Sequence, residues 1–363
     1  MKRILALILA LVLAFSLCAC GKQEAPAQSA PAAEAPAAEP AAEPAAEAPA
    51  AEPVEEAPAV ELSLADAQPD GCACNISMKA MVEEVNGKNA GVTITYYPCS
   101  QLGNERDLAE GVIQGTIDMA WISCAVMQNF SDSFAIFSLP FIFKDYDHVH
   151  VFAEGDLAKK VYDDLETKNG LKVLGLFDQG FRYVWTVDKE VTTLEDLQGL
   201  KLRTPESDVY TQTFSLLGTN PTPMAFGDLF TALQTGVVKG YEVNPESTWA
   251  NGTYEAIGYG CRTNHIYAGS ILFISQAAYD KMTDEQKAII LEAAENAVIC
   301  NNDIALSSEA DFNTKLTDAG LVINDLAEGE QAKFAAAVQP LYESYYDMVG
   351  GKDFVESVQN MQY

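Results

Sequence analysis

Histidine is scarce in this chain and basic residues are few. Its 363 residues include three histidines, and 22 Lys and Arg against 52 Asp and Glu leave a formal net charge of −30. A surface of that sign repels phosphate backbones, and no basic stripe offsets it, which argues against nucleic acid as a partner. The sequence has no phosphate loop, no Gly-x-Ser-x-Gly elbow, no dinucleotide fingerprint and no zinc-spaced histidine pair. His148 and His150 lie beside Asp145 and Asp147. A metal site is one reading of that cluster, and a polar surface turn is the better one. Neither a metal nor any other cofactor is expected. Acidic side chains abound, yet no pair stands out as general acid and base, so no enzymatic activity is expected either. The cysteines form no readable framework. Cys72-Ala73-Cys74 is not a C-x-x-C pair, and spacing alone cannot pair Cys72, Cys74, Cys99, Cys124, Cys261 and Cys300.

What is present begins with an export pattern. Met1-Lys2-Arg3 is basic, and Ile4 to Leu17 is an apolar run of signal-peptide length, short of the roughly 20 residues of a spanning helix. It ends in Leu17-Cys18-Ala19-Cys20-Gly21, which resembles a bacterial lipobox. That resemblance implies a signal peptide over 1–19, cleavage before Cys20 and acylation of its thiol. An ordinary signal peptide or an uncleaved anchor is the alternative. Residues 20–60 are almost entirely Ala, Pro and Glu. Prolines block regular structure and glutamates repel, so this stretch reads as a disordered, lipid-anchored tether outside the cytoplasm.

The remaining residues, about 300 of them, suffice for two domains. Strand and helix patterns alternate, which argues for an α/β fold. Val60–Leu64, the β-branched run 91–97, 116–122, 172–177, 200–203 and 267–275 read as strands. Helices are expected over Ile76–Val85, from Asn104 to Gly115, over Ser207–Leu217 and Phe226–Thr235, and from a capping box at Thr283 onward. Ile289, Ile290, Ala293, Ala297 and Ile304 form a core-facing stripe on that last helix. Residues 331–358 read as further helix.

Several segments in order carry a family resemblance. Tyr97-Pro98-Cys99-Ser100-Gln101-Leu102-Gly103-Asn104-Glu105-Arg106, Leu139-Pro140-Phe141-Ile142-Phe143, Gly180-Phe181-Arg182 and Leu194 to Pro205 are the clearest. Gly218 to Phe226 and Ala232 to Val238 complete the set. Together they resemble the solute-binding proteins of tripartite ATP-independent periplasmic (TRAP) transporters, of the dicarboxylate- and sugar-acid-binding type. The resemblance implies a two-lobed periplasmic-binding-protein-like fold with crossing hinge strands and a long connecting helix. It divides the body into 61–180 plus 269–308 and 181–268 plus 309–363. It also implies capture of a small carboxylate and delivery to integral membrane subunits driven by an ion gradient. A binding protein for an ATP-driven importer, or a ligand sensor for a signalling receptor, would share the same anion site.

In so acidic a body an anion site must rest on local arginines. Arg203 ends a strand just before Pro205, and its guanidinium matches both oxygens of a carboxylate. The resemblance makes it the ligand anchor. Arg182 would be a second donor or an interlobe ion pair. The family's ligand-binding asparagine is replaced by Val243, with Asn244 next to it, and Lys239 stands where an aspartate is usual, so the polar contact is expected either to shift to Asn244 or to be lost. Asn75, Gln101 and Ser123 are expected to line the first lobe's wall, with Phe226 beneath the cleft. Cys72, Cys99 and Cys124 fall at such loops as small wall residues, or with a Cys72–Cys99 bridge. Trp185, Tyr241 and Trp249 could flank the ligand or lie in the core.

Overall fold

The computed structural model describes residues 59–363. The signal peptide, Cys20 and nearly all of the tether lie outside the described residues. Eleven strands follow in chain order: β1 (Val60–Asp66), β2 (Val92–Tyr97), β3 (Met119–Ser123), β4 (Leu171–Phe181), β5 (Tyr183–Thr186), β6 (Lys201–Thr204), β7 (Asn220–Pro223), β8 (Gly240–Val243), β9 (Tyr259–Arg262), β10 (Tyr267–Ser275) and β11 (Val322–Asp325). They form two sheets, ordered β2-β1-β3-β10-β4 and β11-β9-β5-β8-β6-β7. In the first, β1 runs parallel to β2 and β3, while β10 is antiparallel to β3 and β4. β7 holds two prolines because it is an edge strand, where missing donors cost no ladder bond.

Each sheet is buried on both faces. One face of the first carries Met78, Met81 and Trp121 packed on Ile290, Ala293 and Ala297. The other carries Phe134, Phe137, Phe152 and Ile271. In the second sheet the strand period of two is plain on β5: Tyr183 and Trp185 enter one cluster, and Val184 enters the opposite one with Leu202 and Phe214. Trp185 and Tyr241 are therefore core residues, and Trp249 stacks on Tyr254 at 4.6 Å.

The lobes join where the chain crosses between sheets. β4 passes into β5 through Arg182, and β9 passes into β10 through 263–266. The crossings are bonded to each other, with Arg182 N–H donating to Ile266 O at 3.0 Å. Phe141, at a left-handed φ of 61°, docks on this hinge by donating its N–H to His265 O at 2.8 Å. A 35-residue helix, Asp284–Asp318, starts in the expected Thr283 capping box and runs from the first lobe into the second. Ile304 is half-buried and Ala305 is buried, because the packing face shifts where the helix changes lobes. On it, Glu309 accepts from Tyr146 of the first lobe (3.1 Å) and Tyr183 of the second (2.9 Å).

The C-terminal segment departs from the division drawn from the sequence. Helix Glu330–Tyr345 packs Phe334 and Val338 into the second lobe, then Leu341 and Tyr342 into the first. A break at Gly350-Gly351 leads to helix Lys352–Gln359, whose Val355 and Val358 join the Phe137 and Phe152 cluster. Tyr342 donates to Pro140 O at 2.7 Å, and His148 Nε2 meets Val358 O at 2.7 Å. The chain end thus returns to the first lobe.

The histidine cluster is not a surface turn. Residues Tyr146–Glu154 form a helix in which His148 is buried, stacked on Tyr363. Among the described residues no group of three or more His, Cys, Asp or Glu side chains gathers as metal ligands would. His150 Nε2 pairs with Asp178 Oδ2 at 2.7 Å, and Tyr267 donates to the other oxygen. The bond to Asp178 lifts the His150 pKa above its ordinary 6.5, although partial burial opposes it. A raised folded-state pKa gives stability that is full below the unfolded pKa and fades as pH rises through the folded one. The stability gap between the wild-type protein and His150→Gln should therefore be widest near pH 5.5 and narrow above about 6.5. Thermal unfolding across pH 5.5–8.5 checks this, and a pH-independent gap would refute it.

Candidate functional site

Two chambers lie between the lobes. The inner one, of about 30 Å³, is lined by Gln68, Glu105, Ser123, Arg182, Arg203 and Tyr210 among others, with Phe226 and Val243. The outer one, of about 300 Å³, shares Glu105, Arg203, Pro205 and Phe226 with it. A larger hollow of about 440 Å³ lies elsewhere, under Val349 and Phe354, but its Lys168 is already paired with Asp164.

Arg203 is the penultimate residue of β6 and is 3% exposed. Its Nε and Nη2 both donate to Met224 O, at 3.1 and 2.8 Å, and the guanidinium lies over the Phe226 ring at 5.6 Å. No carboxylate hydrogen-bonds it among the described residues. Burial lowers its pKa to about 10, with Glu242 opposing and Arg182 reinforcing that shift. It is therefore charged at neutral pH, with Nη1 free of hydrogen bonds to the described residues. Buried cations are stable when paired, and this one lacks its partner.

Arg182 differs. Its Nε and Nη2 fork onto both carboxylate oxygens of Glu242, with Nη2–Oε1 at 3.0 Å, and Nη2 also donates to Glu242 O at 2.8 Å. The guanidinium sits over the Tyr210 ring at 5.1 Å. Burial works against its charge, and Glu242 overcomes that and holds the pKa above the usual range. Burial likewise opposes the Glu242 charge, yet Arg182 and His265 hold that carboxyl below its ordinary value. Arg182 lines the inner chamber but is already neutralised, within its own lobe, by a residue that sequence reasoning missed.

Opposite Arg203 stands Glu105, which sequence reading assigned only to the first turn of a helix. The Asn104 capping box launches helix Glu105–Gln114 as expected. Glu105 then accepts the Ser123 N–H at 2.8 Å and the Ser123 hydroxyl at 2.9 Å. Burial raises its pKa, with the Ser123 bonds and the two arginines pulling the other way. The clearest clue was the end-on position of Asn104-Glu105 after β2, on the side where β3 also ends.

The structure brings Arg203, Arg182, Ser123 and Phe226 together and leaves three other expected residues apart. Asn244 donates to Gln179 O and caps helix Pro245–Ala250 through Ser247 N–H at 3.2 Å. Its neighbour Val243 lines the inner chamber, because adjacent residues of an extended segment face opposite ways. Asn75 is buried beside Asp66 and Tyr96, outside the chambers. Gln101 is exposed on the turn after β2. Lys239 is at the surface, paired with Asp188 at 3.5 Å. Cys72 and Cys99 are free thiols, as are the other four described cysteines, so no bridge joins them.

Two α/β lobes joined by crossing strands, with a buried cation in the cleft between them, define a periplasmic-binding-protein architecture. Residues 63–348 match the DctP family, described as bacterial extracellular solute-binding protein, family 7, and the chain belongs to it. It is thus an extracytoplasmic solute-binding protein of the TRAP type and not an enzyme. A solute-binding protein of Chromohalobacter salexigens is 31% identical over 277 residues, 76% of this chain and 81% of that protein. A TRAP periplasmic solute-binding protein of Xanthobacter autotrophicus Py2, solved with β-D-galacturonate, superimposes with a TM-score of 0.78 at 31% identity, covering 83% of this chain and 100% of that one. Another, from Polaromonas sp. JS666 with D-erythronate, gives a TM-score of 0.79 at 28% identity over 84% of this chain and 99% of that one. Among the described residues no helix is long and apolar enough to cross a membrane.

The charge arrangement makes a specific demand on stability. Glu242→Ala leaves the buried Arg182 guanidinium unpaired, which should cost about 3–5 kcal/mol. Replacing both partners in an Arg182→Met, Glu242→Leu variant should recover most of that loss. Urea unfolding of the three proteins checks this, and a double variant no more stable than Glu242→Ala would contradict it.

Proposed function

We propose that this chain captures an organic acid bearing one carboxylate and several hydroxyls, and presents it to a TRAP transporter for ion-gradient-driven uptake. The observation that carries the reading is the unpaired buried guanidinium of Arg203. A carboxylate entering the inner chamber supplies the missing partner, and the enclosed surroundings strengthen that pair. Arg182 is held by Glu242, so a second carboxylate finds no free cation among the lining residues. Glu105 favours a hydroxyl donor opposite Arg203. Galacturonate and erythronate, the ligands of the two structures above, share this chemistry of one carboxylate and several hydroxyls.

Capture proceeds by closure. Glu246 of the second lobe accepts the Ala73 N–H of the first at 2.7 Å, and Asn129 donates to Glu206 O across the cleft at 2.8 Å. These bonds form only when the lobes are together, so ligand contacts and interlobe contacts favour the same state. Ser123 acts by fixing Glu105, and Phe226 by supporting Arg203. Asn75, Gln101 and Asn244 act, in this reading, through the lobe wall and hinge.

Anchoring is part of the proposal. The Leu17 to Gly21 pattern supports acylation at Cys20, with the Ala/Pro/Glu stretch as spacer. Labelled palmitate should enter the wild-type protein and not Cys20→Ala, and equal labelling would count against it.

Arg203→Ala should weaken binding by about 3 kcal/mol, on the order of 100-fold, without loss of fold. Arg203→Lys should recover only part, since it keeps charge but not the fork. Calorimetry with a panel of hydroxylated monocarboxylates and dicarboxylates checks both. Unchanged affinity in Arg203→Ala, or tighter binding of succinate than of every hydroxy acid, would overturn the reading.

A further inference from the structure

The two chambers differ tenfold in volume, and the smaller one holds the anchor. A water occupies about 10–15 Å³ of such space. The inner chamber therefore admits about two to three non-hydrogen atoms, the size of a carboxylate, and the outer one about twenty to thirty. Arg203 and Phe226 stand at the junction, so a ligand fixed there by its carboxylate must send its body outward.

The outer chamber meets solvent at Ser100, Gly227 and Asp228, yet the lobes around it are in contact. The lobes are already bridged on either side, by Glu246 to Ala73 and by Asn129 to Glu206 O. Its walls come from both lobes, with Ala67, Ser100 and Asn104 on one side and Glu206, Met224 and Asp228 on the other. Glu206 and Asp228 favour hydroxyl donors and repel a second anion, and no lysine lines the space. Phe226 offers an apolar surface at the junction. At Gly227 an added Cβ would meet nothing within 4 Å, so the wall is open there.

Resting on the capture of a hydroxylated monocarboxylate proposed above, we infer that the outer chamber is a second sugar subsite, and that the preferred ligand is an aldobionic acid, an aldonate carrying a neutral hexose. The carboxylate sits on Arg203, the aldonate chain passes Glu105 and Phe226, and the hexose hydroxyls face Glu206, Asp228 and Asn104.

Calorimetry on the full chain would compare gluconate, galacturonate and erythronate with lactobionate and maltobionate. An aldobionate should bind at least tenfold more tightly than gluconate. Gly227→Trp adds a bulky side chain at a residue that lines the outer chamber and not the inner one. It should abolish that advantage while leaving the single-sugar acids within about threefold. Binding of the single-sugar acids with no gain for either aldobionate overturns the second subsite and leaves carboxylate capture standing. An aldobionate advantage that survives Gly227→Trp also overturns it. Failure of all five acids to bind overturns the capture reading itself, and the subsite with it.

Discussion

One carboxylate beside two buried arginines, and bonded to only one of them, organises this protein. Arg182 and Arg203 line the same chamber, and Glu242 is bonded to only one of them. Its Oε1 and Oε2 are both engaged by Arg182, and His265 approaches Oε2 at 3.4 Å. The second guanidinium is left with a backbone carbonyl and an aromatic face. Two like charges in one enclosed space, with Glu242 hydrogen-bonded to only one of them and Glu105 held by Ser123, is an unfavourable arrangement, and an anionic ligand relieves it.

The same constraint explains why the hinge is rigid at one point and pliant at others. Arg182 is both the crossing residue between β4 and β5 and the partner of Glu242 on β8. Its backbone N–H is held by Ile266 and its carbonyl by Thr263. Main chain and side chain are thus fixed at one of the two crossings between the sheets. Glu309, by contrast, touches each lobe through a tyrosine hydroxyl. Such contacts tolerate small rotations that a bonded strand crossing does not.

Local signals in the sequence were legible wherever a feature is satisfied by its own neighbours. The capping boxes at Asn104 and Thr283 close on residues three positions away and appear as expected. The place of Arg203 near a strand end was legible from Pro205, while its reading as an anchor came from the family resemblance alone. What could not be read depends on residues far apart. Glu242 lies in a strand buried on both faces, so alternation gave no hint of its partner 60 residues earlier. Glu105 fits a helix N-terminus by itself, and only the fold sets it against Ser123. Asn244 and Val243 differ by a single step along the chain, and that step decides which one meets the cleft. The return of the last helix hangs on Val355 and Val358 finding a cluster some 200 residues upstream, which helical periodicity cannot foretell.

That return has a mechanical consequence. β1 opens the folded body in the first lobe, and Lys352–Gln359 closes it there. The second lobe is therefore an insertion, with no free end of its own. Any pull transmitted through the segment before Val60 reaches the first lobe alone. The second lobe is then the moving jaw of a vice, and both Val60 and Gln359 sit on the other jaw.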